Sequence, residues 1–256
     1  MSALHSPDSA PNAPPNQRPS ALRRLIEFNG MRRLSFGQYQ NRVRSLYDGP
    51  AGAVLALASV VSLHEPLMGR MIRKGKFDVT RFRSILDLGS GAGQILRHLI
   101  KVAPDGTQIV ACDLSHQMLR RARKRVKSQR PCYVAADMTR MPFADGSFDC
   151  VTCGYVIEYL PDPRPGLDEI GRVLRPGGSL LLLATEDNFN GALTSRTWKC
   201  RTYNRQVLHE ACEDSGLPWH GELWFTPVHR FFRMGGILVE AQKPLNGERA
   251  VPAQFT

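Results

Sequence analysis

No apolar run in this 256-residue sequence is long enough to cross a bilayer, which takes ~20 residues. The stretch 51–63 is almost wholly apolar but stops short of Pro66, which rules it out as a spanning helix. Cysteine is sparse as well. Six cysteines, Cys112, Cys132, Cys150, Cys153, Cys200 and Cys212, show no disulfide framework and follow no secretory signal, so reduced thiols in a cytoplasm are expected. Cys150-x-x-Cys153 has the spacing of a redox or zinc half-site. It falls in a predicted strand, where positions three apart face opposite sides, so the two thiols should not share a metal. Acidic residues are in deficit: 34 Lys and Arg stand against 23 Asp and Glu, a net charge of +11. That balance invites nucleic acid, anionic membrane or acidic substrates; it equally suits a basic soluble enzyme. The length fits one domain with additions and a full core.

What is present centres on Ser84-Ile85-Leu86-Asp87-Leu88-Gly89-Ser90-Gly91-Ala92-Gly93-Gln94-Ile95-Leu96. An apolar run with a carboxylate gives way to alternating glycines and then to a helical pattern, which predicts strand, tight turn and helix. Glycine lets the backbone turn sharply and approach a ligand closely. The helix that follows adds unpaired N–H groups and a positive dipole end. The dinucleotide fingerprint is incomplete, because Gln94 stands where its third glycine belongs. Asp87, two residues before the first glycine, would repel a pyrophosphate and suits a ligand carrying an ammonium group. A bare βα turn without a ligand is the competing reading.

Two more strands end in acids. The strand Gln108–Cys112 runs into Asp113, where a carboxylate can accept both hydroxyls of a ribose or cap the helix that begins near Ser115. The strand Cys132–Ala136 runs into Asp137-Met138. Asp137 can accept from an adenine amino group and Met138 can offer a backbone N–H and an apolar face, or Asp137 can simply cap its own turn. Between these strands, helix 115–128 carries Arg120, Arg121, Arg123, Lys124, Arg125 and Lys127 opposite Met118, Leu119, Ala122 and Val126, the pattern of a solvated basic face.

The glycine turn resembles motif I of the class I S-adenosylmethionine-dependent methyltransferases. So do two further blocks: Met141-Pro142-Phe143-Ala144-Asp145-Gly146-Ser147-Phe148-Asp149 leading into Cys150–Cys153, and Leu167–Leu180 with its helix, Pro176-Gly177-Gly178 turn and strand 179–184. The resemblance implies an α/β fold: a doubly wound, mostly parallel seven-stranded sheet, Rossmann-like, with an antiparallel last strand and an N-terminal helical cap. It implies S-adenosyl-L-methionine as cofactor, held by Asp87, Gly89, Gly91 and Gly93 at the methionine end, Asp113 and Leu114 at the ribose, and Asp137 and Met138 at the adenine, with Cys153 ending the fourth strand alongside. It implies methyl transfer by in-line displacement from a sulfonium.

Acceptor-side candidates follow strand four in Gly154-Tyr155-Val156-Ile157-Glu158-Tyr159-Leu160. The segment resembles the small-molecule branch, including quinone-pathway enzymes, which often have a His directly after the Glu. Tyr159 stands there instead, which puts a His base in doubt. Glu158 could serve as base or as ligand to a divalent cation, and Tyr155 and Tyr159 as aromatic surface; packing and capping are the plain alternatives. Asp/Asn-Pro-Pro-aromatic, typical of base-directed amino methylation, is absent. The Pro-Cys of cytosine-carbon enzymes occurs only at Pro131-Cys132, at the wrong strand.

The remaining expectations concern organisation. Residues 1–20, rich in proline, read as a disordered tail; 21–80 as the cap; 81–243 as the catalytic domain; 244–256 as a loose tail. The apolar run 51–63 reads as a helix packed on the core, or as a lid or lipid-touching surface. After strand five the connection 185–203 (Asn188, Phe189, Asn190, Trp198, Tyr203) is expected at the substrate pocket, and helix 204–215 and strands 222–225 and 236–241 close the fold. A small, lipophilic or aromatic acceptor is expected rather than nucleic acid. RNA or protein methylation, a non-catalytic cofactor-binding scaffold and a nicotinamide dehydrogenase are the rivals.

Overall fold

The computed structural model describes residues 41, 64–188, 191, 194–195, 200–232 and 235–245. The chain divides into Met1–Arg32 and Arg33–Thr256, and the described fold belongs to the second unit. The expected tail 1–20, the cap up to residue 63 apart from residue 41, the apolar run 51–63, Phe189, Asn190, Trp198 and the tail beyond 245 lie outside the described residues.

In chain order the elements are α1 (His64–Arg73), β1 (Ser84–Leu88), α2 (Leu96–Val102), β2 (Gln108–Asp113), α3 (His116–Val126), β3 (Cys132–Ala135), β4 (Phe148–Gly154), a 3₁₀ turn (Ile157–Tyr159), α4 (Arg164–Val173), β5 (Leu174–Ala184), α5 (Arg205–Asp214), β6 (Trp219–Glu222), α6 (Pro227–Phe231) and β7 (Ile237–Gln242). The seven strands form one sheet in the order β3-β2-β1-β4-β5-β7-β6. β1 to β5 run parallel, while β7 is antiparallel to both neighbours. This is the doubly wound architecture with an inserted antiparallel strand that the resemblance implied.

Both sheet faces are covered, which is why the central strands read as unbroken apolar runs. Leu180 and Leu182 of β5 point into the layer under α4 and α5, with Leu167, Ile170 and Leu208. Leu181 and Leu183 point into the layer under α1, α2 and α3, with Met71, Leu99 and Ala122. Cys150 and Cys153 fall in different layers, as the strand period requires. In α3, Met118, Leu119 and Ala122 are buried while Arg120, Arg123 and Lys124 are exposed. Arg125 is diverted: it pairs with buried Glu65 of α1 at 2.7 Å, and Arg97 of α2 meets the same carboxylate at 3.0 Å. One acid therefore ties three helices together.

Two boundaries differ from the sequence reading. The expected Pro-Gly-Gly turn lies inside the span of β5, not before it. Leu174 pairs with Phe148 and Ser179 with Cys150, so 175–178 bulge outward. The bulge is held because Arg175 pairs with Asp149 at 2.7 Å, while Asp149 also accepts the N–H groups of Arg83 and Ser84. The sixth strand is Trp219–Glu222 rather than 222–225. Trp219 is buried against the His209 ring, and Thr226 starts the next helix by accepting the His229 N–H, with Pro227 in the first turn.

Candidate functional site

The strand order sets β3, β2 and β1 side by side, so the acids ending them form a row. Gly89, Gly91 and Gly93 all have positive φ (66°, 53° and 83°). Gly89 is doubly constrained: a Cβ there would stand 2.0 Å from Val156 Cγ2. The turn after β1 is therefore roofed by the segment that leaves β4, and both meet at one place. At Gly93 a Cβ would stand 3.3 Å from the Ala122 backbone, so the third glycine serves the approach of α3.

Asp87 lies beneath the turn rather than at its mouth. It is 1 % exposed, with Oδ2 accepting from Ser90 Oγ (2.7 Å) and Oδ1 from Thr152 Oγ1 (2.8 Å). Burial lifts its pKa to about 6 against those hydrogen bonds, and the nearby charge of Asp113 adds to the rise. Asp113 is half-buried over the turn. Its Oδ2 accepts the Gly91 N–H at 2.8 Å and its Oδ1 the Ser115 N–H at 2.8 Å. Asp113 does not cap α3; the cap is Ser115, whose side chain accepts the Met118 N–H. Each carboxylate oxygen offers two lone pairs, so a carboxylate in this position can serve more than one donor. Leu114 follows it, half-buried.

Asp137 does cap its own turn: Oδ1 accepts the N–H (2.8 Å) and hydroxyl (2.9 Å) of Thr139. The expected apolar face of Met138 is turned inward. Its side chain is 5 % exposed and lies where a Cβ on Gly166 would meet its Cε at 2.9 Å. Cys153 is fully buried in the core, and burial raises its thiol pKa, so it meets any ligand through backbone alone. The row of acids fits a cationic, hydroxyl-bearing ligand. The charge of Asp113 adds to the cost of ionising Asp87, which a positive ligand relieves and a pyrophosphate aggravates.

On the other side of the turn, Tyr155 has φ +58°, which swings the chain across Gly89. It is half-buried, with its hydroxyl donating to Gly235 O at 3.4 Å, and burial raises its pKa. Glu158 is 1 % exposed. Its Oε1 accepts the Thr185 N–H (2.7 Å) and hydroxyl (2.8 Å), while Oε2 is buried without a hydrogen-bond partner. Burial lifts its pKa to about 7. In this position Glu158 locks the start of the connection after β5 and is closed to solvent. Tyr159 is half-buried beside it. Among the described residues, no group of three or more His, Cys, Asp or Glu is placed to hold a metal ion, so a divalent-cation role for Glu158 finds no companion ligands there.

The partners Thr152 and Thr185 escaped the sequence reading. Their signal was available: each is a hydroxyl interrupting or ending an otherwise apolar strand, Val151-Thr152-Cys153 and Leu183-Ala184-Thr185.

A family profile described as a methyltransferase domain matches residues 86–182. Demethylmenaquinone methyltransferase of Mycolicibacterium gilvum is 32% identical over 165 residues, covering 64% of this chain and 69% of the relative. That of Beutenbergia cavernae is 37% identical over 145 residues, 55% of this chain and 56% of the relative. That of Paenarthrobacter aurescens is 32% identical over 154 residues, 59% and 58%. The chain spans under two thirds of the length of several of these relatives. Among solved structures, a Haloferax volcanii methyltransferase in complex with the Trm112 methyltransferase activator matches with TM-score 0.58 at 22% identity, covering 73% of this chain and 96% of that one. Geranyl diphosphate C-methyltransferase from Streptomyces coelicolor matches with TM-score 0.55 at 15% identity, over 70% of this chain and 79% of that one. The chain belongs to the class I S-adenosylmethionine-dependent methyltransferases. Its curated similarity runs to demethylmenaquinone methyltransferases.

Proposed function

We propose that the chain moves the methyl group of S-adenosylmethionine to a small lipophilic or aromatic acceptor, of the kind that the quinone-pathway relatives' names describe. The observation that carries this is the row Asp87, Asp113 and Asp137 on adjacent strand tips around a positive-φ glycine turn. The residues present fit the cofactor. Asp113 with Leu114 would take the ribose, and the Asp137–Met138 backbone the adenine. The glycine turn over buried Asp87, beside the end of β4 at Cys153, would take the methionine end.

When bound, the cofactor supplies an electrophilic methyl on a sulfonium. The chain's own part is alignment and exclusion of water. Val156 closes over Gly89, Tyr155 and Tyr159 supply half-buried aromatic surface on the acceptor side, and Glu158 fixes Thr185 behind them. Aromatic faces also suit a neighbouring cation. A reducing compartment such as the cytoplasm fits six free cysteines, five of them buried. Among the described residues, no helix is long and apolar enough to cross a membrane.

Calorimetric titration should show binding of S-adenosylmethionine and none of NAD. Asp113→Ala should weaken the former by about 1–3 kcal/mol, roughly 5- to 150-fold, as for losing charge-assisted hydrogen bonds; unchanged affinity removes Asp113 from the site. Radiolabelled methyl transfer into a cell extract, fractionated into lipid, RNA and protein, should label the lipid-soluble fraction. Label confined to RNA or protein overturns the acceptor class, and binding without transfer to any fraction supports a non-catalytic scaffold.

A further inference from the structure

The segment joining β6 to β7 carries a feature that the methyl-transfer reading leaves unused. Within five residues, Val228, Phe231 and Phe232 are 60 %, 81 % and 63 % exposed. Among the described residues, only Leu245 joins them as a largely exposed big apolar side chain. The two phenylalanine rings meet edge to face at 5.0 Å and 86°, so they stand together as one wedge.

The wedge is held out by a rigid footing. Phe225 is buried and packs edge-on against His229 at 5.7 Å. Thr226 accepts the His229 N–H at 3.3 Å and bonds its Nδ1 at 2.7 Å. Beyond the wedge, Gly235 accepts from the Tyr155 hydroxyl, and β7 begins with Ile237 paired to Ala184, the last residue of β5. The segment therefore rises from the carboxyl rim of the sheet, the same rim that carries the acids and Tyr155.

Within the segment the charge has one sign. From Thr226 to Gly235 there is no Asp or Glu, while His229, Arg230 and Arg233 alternate with the aromatics. Arg230 is exposed. The whole chain carries +11. Exposed aromatics interleaved with arginines are the chemistry of an anionic lipid interface, in which rings enter the acyl boundary and guanidinium groups stay among the headgroups. A second copy of the chain is a poorer occupant. Two phenylalanines offer on the order of 300 Å², against the ~800 Å² per partner of a stable interface.

We propose that Val228, Phe231 and Phe232, flanked by Arg230, form a docking wedge for an anionic membrane surface, setting the mouth of the site against the bilayer. This goes beyond the methyl-transfer reading and does not depend on it. The test is co-sedimentation of the full chain with phosphatidylcholine vesicles, with and without phosphatidylglycerol. Binding should require the anionic lipid and weaken as salt rises. Phe231→Ser combined with Phe232→Ser should lower partitioning about tenfold or more, and Arg230→Glu should lower it separately. Melting temperature and cofactor titration without vesicles should stay at wild-type values, so failure of the wedge is distinguishable from failure of the site. Wild-type protein remaining in the supernatant with anionic vesicles overturns the proposal. So does a double variant that binds as well as wild type, or one that instead abolishes self-association in sedimentation velocity.

Discussion

The two halves of the sheet's carboxyl edge are built on opposite terms. Along β3, β2 and β1, the three acids each accept side-chain or backbone donors, with Asp87 beneath the glycine turn, Asp113 over it and Asp137 at a turn of its own. Along β4, β5 and β7, one acid is sealed in with half its acceptor capacity unused, and the surroundings are half-buried tyrosine and valine. The first half is a rigid polar grip, suited to a ligand whose hydroxyls and charge are always the same. The second is an apolar, aromatic surface, where packing rather than hydrogen bonding selects what fits. A cofactor and an interchangeable acceptor make those different demands.

The sharpest way to break the contrast is at the seam. Gly89→Val places a side chain onto Val156 at a φ of +66°, which valine does not tolerate. It should cost about 2–4 kcal/mol of stability and abolish calorimetric binding of the cofactor. Retained binding would separate the two halves.

A smaller effect tests the sealed acid. The pKa of Glu158 is raised from 4.5 to about 7, so between those values the native state holds a proton that the unfolded chain has released. Stability therefore falls as pH rises from 4.5 to 7 and levels off above, a loss of about 3 kcal/mol from this group. Asp87, raised to about 6, adds its own loss between about pH 4 and 6. Glu158→Gln should flatten the pH 6–7 portion of the denaturation profile and leave the variant more stable than wild type at pH 8. An unchanged profile would mean that the carboxylate is solvated.

The smallest effect concerns Tyr155→Phe. Its hydroxyl donates a long bond to Gly235 O, at the weak end of the hydrogen-bond range, so stability should move by about 0.5 kcal/mol. Methyl transfer should be largely kept, because the ring and the backbone turn remain. Loss of transfer with cofactor affinity intact would give the hydroxyl a chemical role.

The sheet and the acid row were legible in the sequence because both follow from local pattern: an apolar run, a carboxylate, then glycine or a cap. The strand-tip acids at 87, 113 and 137 needed only the strand ends to be placed. What was hidden depends on contacts distant in sequence. Nothing local says that Asp87 is bonded by Thr152 of the neighbouring strand, or that Gly69 is glycine because a Cβ there would stand 2.2 Å from the His98 ring. The bulge in β5 was equally invisible, since it exists to let Arg175 reach Asp149 on the neighbouring strand. Met138 was misjudged because a residue at a strand tip can turn either way, and the small Gly166 opened a space on the core side.

Asp113 gathers the Gly91 and Ser115 amides on separate oxygens of one carboxylate. The loop that ends the first strand and the loop that ends the second therefore share a pivot, reinforced by the Ser90 N–H donating to Cys112 O at 3.0 Å. Neither can drift without dragging the other, and a hydroxyl arriving at that pivot is felt by both at once. The two loops are in this way kept in step by one side chain and one backbone bond.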